Sequence, residues 1–527
     1  MMNRKACAAL LIIAFASMAS AYTLETGLDA VAFEWVTFPQ GEHTISGTLY
    51  VPKTGSGRFP GVVLGHGISN SREPMSAIAL ELARSGIAAL AIDLEGHGAS
   101  GGALGGGDNS LGVLAALDYL ESHPSVDEGR LGLVGHSLGA GAARYAALIH
   151  GDIKAVVLIG GGVDGGSWDD GSLNSTFPRN LLLAVGRQDV LFDDTLTESL
   201  EKVFNASIVE PMVTYGVIKS GTARRLVTPD TIHLLEPVDP TIVKESVDWL
   251  TRTLGGSAAA GQIYMWRELA LAAFFVAFHG TVLLYLQPEP RVREERTALR
   301  FKEGVLFGLI GVILFLPSML LGALIPFPPL IFGSSMAWWL LVWGAGSLAV
   351  HSIRASRNPW HLIRSGFNWG DVGMGSAVFA AMYLAVTLVE ATTGIQLRLL
   401  VPIFRGLTFK RALLLPAFMP FYVFFFASEN AYFSECNRFL GLLLFKTGPI
   451  LVLLLAQYGV MFLLGVRIIS GFAAFMVEFL WAIVPILWLS TIYTWRLRGQ
   501  EKPWTAIALN ALLLSWVSAG LFPFGGF

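Results

Sequence analysis

Apolar positions along this 527-residue chain follow two regimes. Before about residue 255 they come in short runs closed by glycine or polar turns; from about residue 263 they merge into long ones. RLGLV at 130–134 reads as a buried strand, and AGAARYAALI at 140–149 as the helix it feeds. NLLLAVGRQD at 180–189 is another apolar strand, ending in a polar turn. DDTLTESLEKVF at 193–204 opens with carboxylates, which suit the positive end of a helix dipole, so a helix is expected there. The long runs fit a different solvent, because about 20 apolar residues in a helix cross a bilayer. Candidate spans are 263–286, 304–325, 330–350, 372–391, 412–427, 439–465, 468–493 and 504–522. Eight consecutive buried core helices would need an implausibly large soluble core. The expected architecture is therefore an α/β domain followed by an all-α polytopic transmembrane domain of about eight helices.

Composition agrees: hydrophobic residues make up 53%, charged residues 14%, and mean hydropathy is +0.58. A soluble chain carries about a quarter charged residues. At the N-terminus, Arg4 and Lys5 precede the apolar run Ala6 to Ala16, and Ala19-Ser20-Ala21 forms a small-residue cleavage pattern before Tyr22. Residues 1–21 read as a secretory signal, with an uncleaved anchor as the alternative, and both put the following domain outside the cytoplasm. That domain spans 22–254, GGSAAAGQ at 255–262 is a flexible linker, and 263–527 is the membrane domain.

Charge gives an independent check. Residues 22–262 carry 15 Lys plus Arg against 28 Asp plus Glu, and residues 263–527 carry 19 against 11. With the first domain outside, the segments 287–303, 351–369, 428–438 and 494–503 lie inside and hold twelve basic residues, against five outside. This obeys the positive-inside rule. One segment dissents: 392–411 places Arg398, Arg405, Lys410 and Arg411 outside, which a re-entrant or interfacial helix or a missed span would explain. Glu390, Glu478, His279 and Lys446 fall in or near spans, where ionisable groups point to function or reach interfacial water. Trp338, Trp339, Trp360, Trp369, Trp495 and Trp504 suit interfacial anchoring.

The chemistry centres on GHSLG at 135–139, between the strand 130–134 and the helix 140–149. A serine between two glycines at a strand-to-helix junction is the nucleophile-elbow pattern, and Gly135 and Gly139 leave room for neighbouring backbone so that the Ser137 hydroxyl stands clear. In a doubly wound hydrolase the acid and then the histidine follow the serine. Asp189 ends the strand 180–184, with Asp193 and Asp194 as alternatives in the next helix start. Beyond them the soluble part holds one histidine, His233.

Four features in order, FPGVVLGHG (59–67), AIDLEGHGAS (91–100), VDEGRLGLVGHSLGAG (126–141) and AVGRQD (184–189), make residues 33–254 resemble the α/β-hydrolase superfamily, within it the dienelactone-hydrolase and prolyl-oligopeptidase-like serine hydrolases. The resemblance implies a doubly wound, mostly parallel sheet and two oxyanion donors, the Ile68 N–H after the HG turn and the Leu138 N–H after the nucleophile. It also implies that Asp93 and His97 belong to a loop that shapes the site. His66 lies in the oxyanion turn, as a turn-stabilising residue or a pocket residue; His136 and Trp168 are further pocket candidates, and Phe177 is a wall candidate. The chain departs from many secreted esterases in having Ile232 where glycine or aspartate precedes the histidine. No cluster has metal-ligand spacing, so no metal or cofactor is expected, and nothing points to nucleic acid. Only Cys436 remains after signal removal, so no intramolecular disulfide is expected, and Asn174 and Asn205 open sequons. The resulting expectation is a membrane-anchored, exported serine hydrolase acting on an ester or thioester, small or lipid-like. The alternatives are a peptidase or amidase of the same fold, and a silent domain that senses or serves a transporter.

Overall fold

The computed structural model describes residues 4–55, 57–161, 172–191, 196–257, 259–286, 301–398, 403–433, 439–464, 476–477, 480–498 and 502–525. They fall into two units, one built on Ala19–Ala270 and the other on Leu271–Leu463 with Met476–Phe522 and the N-terminal residues.

The first unit is a nine-stranded sheet: β1 (Val31–Gln40), β2 (His43–Pro52), β3 (Phe59–Gly65), β4 (Ala88–Asp93), β5 (Val126–His136), β6 (Ala155–Ile159), β7 (Leu181–Ala184), β8 (Thr214–Tyr215) and β9 (Arg224–Val227). Its order is β1-β2-β4-β3-β5-β6-β7-β9-β8. The strands from β4 to β9 are parallel neighbours, while β1, β2 and β8 pair antiparallel at the margins. AALAID, AVVLI and LLLA are buried throughout, as strands covered on both faces must be. Two apolar layers do the covering. One packs α3 (Val113–Ser122) and α4 (Leu138–His150) with Leu133, Val156 and Leu183; the other packs α2 (Ser76–Arg84) and α6 (Pro240–Leu254) with Val62, Leu182 and the fully buried Trp249. A helix at Leu196–Phe204 matches the expected one, whose start lies outside the described residues. The doubly wound sheet is as expected.

The N-terminal helix, Arg4–Glu25, runs through the small-residue pattern at 19–21. Its last residue is buried: Glu25 Oε2 accepts from Arg267 Nη1 at 2.7 Å, and Tyr50 OH donates to Oε1.

Among the described residues, six helices are long and apolar enough to cross a membrane: Lys5–Glu25, Tyr264–Tyr285, Gly333–Ala355, Trp369–Thr393, Phe409–Tyr432 and Pro503–Leu521. Two bent pairs, Gly304–Ile313 with Phe315–Leu324 and Phe439–Gly448 with Ile450–Met461, bring the count among the described residues up to eight if each pair is one span. This pattern suggests a multi-pass membrane protein. Of the expected span 468–493, the helix Leu480–Arg498 is described, and Glu478 lies outside the described residues.

Segment 392–411 departs from the expected interfacial helix. Leu397–Arg398 and Ile403–Phe404 pair as two short antiparallel strands. Arg411 is buried, and its Nη1 donates to Ala519 O at 2.6 Å and Phe522 O at 2.9 Å, at the C-terminal end of Pro503–Leu521. Two tryptophans also depart from interfacial roles: Trp339 is fully buried with Nε1 on Gly311 O at 2.7 Å, and Trp504 is buried. Lys446 Nζ meets Glu429 Oε2 at 2.9 Å and Ser490 Oγ at 2.8 Å, all buried. His279 Nδ1 meets Tyr493 OH at 2.7 Å, and Glu390 accepts from Gln396 Nε2 at 2.7 Å.

Candidate active site

Strand β5 ends at His136, helix α4 begins at Leu138, and the whole turn between them is Ser137, at φ 52° and ψ −115°. That left-handed φ is strained for any residue with a Cβ. It persists because the turn is over-determined. Ser137 N–H donates to Ile159 O at 2.8 Å on β6, and Ser137 O accepts from Ala140 N–H at 2.9 Å. The flanking glycines are forced by backbone proximity: a Cβ on Gly135 would lie 2.1 Å from Gly139 O, and one on Gly139 would lie 2.3 Å from Gly65 O.

His233 reaches Ser137 from the loop after β9. It opens a 3₁₀ segment, His233–Val238, six residues after β9 and not at a strand end. Its Nε2 lies 2.9 Å from Ser137 Oγ, and its Nδ1 lies 2.7 Å from Asp189 Oδ2. Asp189 is fully buried, and its Oδ1 accepts from Leu191 N–H at 2.8 Å. The loops carrying these two residues are zipped together, Arg187 N–H to Pro229 O at 2.9 Å and Gln188 N–H to Thr231 O at 3.2 Å. A serine on a strained elbow at the carboxyl end of the central strand β5, with histidine and acid from later loops, is the arrangement of the α/β-hydrolase fold.

The chain carries an α/β-hydrolase domain.

Within this α/β-hydrolase domain, Leu138 N–H at the start of α4 and Ile68 N–H after the β3 turn have no other acceptor among the described residues. His66 is 1% exposed and works on that turn: its Nε2 accepts Leu94 N–H at 3.0 Å, which leaves Nδ1–H to donate to Gly67 O at 2.7 Å. Both ring nitrogens thus serve backbone groups, which fits the turn-stabilising role and leaves no ring nitrogen for a ligand. Asp93 organises the next loop, taking Arg72 Nη1 at 2.7 Å and the N–H groups of Arg72 and Ala99 at 2.9 and 2.8 Å. His97 packs edge-on against His66.

His136 is buried, with Nε2 3.1 Å from His233 O, and burial holds its imidazole well below the usual histidine range, hence neutral. Trp168, Asp193 and Asp194 lie outside the described residues. Phe177 packs against the apolar layer under α3 and α4.

One residue escaped the sequence reading. Glu236 is fully buried; its Oε1 accepts Gly186 N–H at 2.6 Å, and its Oε2 lies 3.5 Å from His233 Nδ1 and 3.4 Å from His136 Nε2. Burial first, then the negative charge of Asp189, holds its carboxyl well above the usual carboxylate range. The only available signal was the i, i+3 spacing in HLLEP. His136, His233 and Glu236 each present a ligand atom within 4.8 Å of the others. His233 Nδ1 is already on Asp189 and His136 Nε2 on a carbonyl, so a metal ion would have to displace both.

Residues 13–175 match the family model of the FrsA-like esterases. Among curated proteins, bis(hydroxyethyl) terephthalate hydrolase of Streptomyces coelicolor is 30% identical over 217 residues, covering 39% of this chain and 61% of that protein. The uncharacterized protein PA2218 of Pseudomonas aeruginosa is 32% identical over 120 residues, 22% of this chain and 32% of that one. The chain thus matches less than two thirds of either relative. Among solved structures, an esterase of Pyrococcus furiosus aligns with 44% of this chain and 96% of its own, at 17% identity and a TM-score of 0.34. A dienelactone hydrolase of Anabaena variabilis aligns with 43% of this chain and 99% of its own, at 20% identity and a TM-score of 0.29.

Proposed function

We propose that this chain is a membrane-anchored serine hydrolase that cleaves an ester. The carrying observation is the line Ser137 Oγ, His233 Nε2, His233 Nδ1, Asp189 Oδ2, with gaps of 2.9 and 2.7 Å, standing on a strained turn. His233 takes the hydroxyl proton as Ser137 attacks the carbonyl carbon, and then delivers it to the leaving alcohol. Asp189 fixes the tautomer that leaves Nε2 free to accept, and it stabilises the imidazolium. Ile68 and Leu138 N–H groups take the oxyanion; each such donor supplies about 3 kcal/mol of barrier lowering. Water, activated by His233, then releases the acid.

The esterase relatives support an ester over an amide, and the terephthalate hydrolase points to small esters as the first substrates to try. Fluorophosphonate labelling of the detergent-solubilised chain tests the reading. Label on the wild type and on Ser110→Ala, but not on Ser137→Ala, is the expected result. Ser110 makes a suitable control, buried with its hydroxyl on Asp108 at 2.8 Å. An unlabelled wild type would leave a hydrolase-shaped binding domain instead.

We place the hydrolase domain on the extracytoplasmic side, from the basic bias of the alternate loops. The helix through residues 19–21 favours an uncleaved anchor over a removed signal. An Arg293→Cys variant should react with an impermeant thiol reagent only after the cytoplasmic face is opened, and immediate labelling in intact cells would reverse the assignment.

A further inference from the structure

Glu236 is not needed to complete the line from Ser137 to Asp189, yet it sits where the loops bearing those residues meet. Through Oε1 it holds Gly186 on the Asp189 loop, and through Oε2 it faces the same His233 nitrogen that Asp189 engages. His136, the neighbour of Ser137, stands at 3.4 Å. Gly160, at φ +51°, closes the remaining side: a Cβ there would lie 1.9 Å from Glu236 Oε2. An apolar side chain would occupy this space without the cost of desolvating a carboxyl.

We propose that Glu236 is a reserve positioning acid for His233, seated against the same imidazole nitrogen as Asp189 and placed to take over its hydrogen bond. The inference rests on the hydrolase reading above. Two carboxylates this close, both out of water, do not both ionise. The ionisable groups facing Glu236 are Asp189 from the loop after β7, His136 from the end of β5 and His233 from its own segment. With His136 neutral and Asp189 charged, Glu236 keeps its proton. Removing Asp189 removes the charge that opposes ionisation of Glu236. The carboxyl then ionises against the imidazolium formed during turnover, and a small rotation brings Oε2 from 3.5 Å onto Nδ1.

The test uses the full chain in detergent, a p-nitrophenyl ester, and the variants Asp189→Ala, Glu236→Gln and both together. Without a reserve, losing the orienting acid costs about 10⁴ in kcat. With one, Asp189→Ala falls only about 10²-fold, the double variant at least about 30-fold further, and Glu236→Gln alone stays within about threefold near neutral pH. Equal kcat in Asp189→Ala and the double variant overturns the proposal. A second readout does not depend on the Asp189 variant folding. Glu236→Gln exchanges a neutral group for a neutral group, so the ascending limb of kcat/KM against pH stays in place. A shift of that limb by about one pH unit toward acid would show a charged Glu236 beside His233 and overturn the proposal. An inactive wild type would overturn the hydrolase reading as well; an active wild type with equal variants overturns this one alone.

Discussion

Gly139→Ala is a severe test of how the site is built, because the added methyl has nowhere to go. Its Cβ would lie 2.3 Å from Gly65 O, 2.5 Å from Gly65 C and 2.7 Å from His66 O, all backbone atoms. Ordinary contact begins at 3.4 Å, so about 1 Å must open between the start of α4 and the end of β3. Those two segments carry Leu138 and Ile68, and the proposed donors move apart by the same amount. Overpacking of this kind costs about 1–3 kcal/mol of stability, which for a domain of this size lowers Tm by roughly 5 °C. Loss of one donor costs about 3 kcal/mol more in the transition state alone, or 10²–10³ in kcat. The loss should fall on kcat with KM little changed, because the oxyanion exists only after attack. Kinetics on a soluble ester with parallel melts in detergent separate the two effects. Were kcat to stay within about threefold of wild type while the variant folds, Ile68 and Leu138 would not be acting as a matched pair.

Three other outcomes follow from buried charges. Glu236 keeps its proton in the folded chain well above the ordinary carboxylate value of 4.5, whereas the unfolded chain loses it there, so stability drains as pH rises from that value. Glu236→Gln has no such drain, and its Tm relative to wild type should climb between about pH 5 and pH 8; a constant difference would contradict the assignment. Arg72→Ala takes the cation from the fully buried Asp93, its partner at 2.7 Å, and should cost about 3–5 kcal/mol, read as a Tm drop near 10 °C. In the second unit, Lys446→Met removes the cation that faces the buried Glu429 and should lower the melting temperature in detergent, while adding Glu429→Gln recovers most of the loss.

How far the sequence could be read follows from what each residue is asked to do. The GHSLG elbow was legible because two backbone approaches under 2.5 Å forbid any side chain at 135 and 139, so the chemistry is written as glycines. The buried strands were legible because parallel strands covered on both faces need unbroken apolar runs. Glu236 was invisible for a definite reason. HLLEP looks like the end of a strand, where positions i and i+3 point to opposite faces. The chain instead makes a 3₁₀ turn at 233–238, whose three residues per turn stack i over i+3 and bring the carboxyl to the imidazole. Tryptophan positions failed similarly, since residue type alone does not say whether an indole such as Trp339 faces lipid or another helix.

The basic residues of 392–411 bear on orientation in a way that counting charges misses. In the folded chain, only exposed basic side chains meet the anionic leaflet surface. Arg411 is not one of them, because its guanidinium holds the carbonyls of Ala519 and Phe522, where a helix C-terminus attracts a cation. Arg405 is likewise buried, and its backbone carbonyl accepts Trp516 Nε1–H at 2.7 Å. Setting these two aside cuts the outer tally of basic residues from five to three against twelve inside. The dissenting segment thereby becomes a helix cap, and the proposed orientation gains support from the residues that had opposed it.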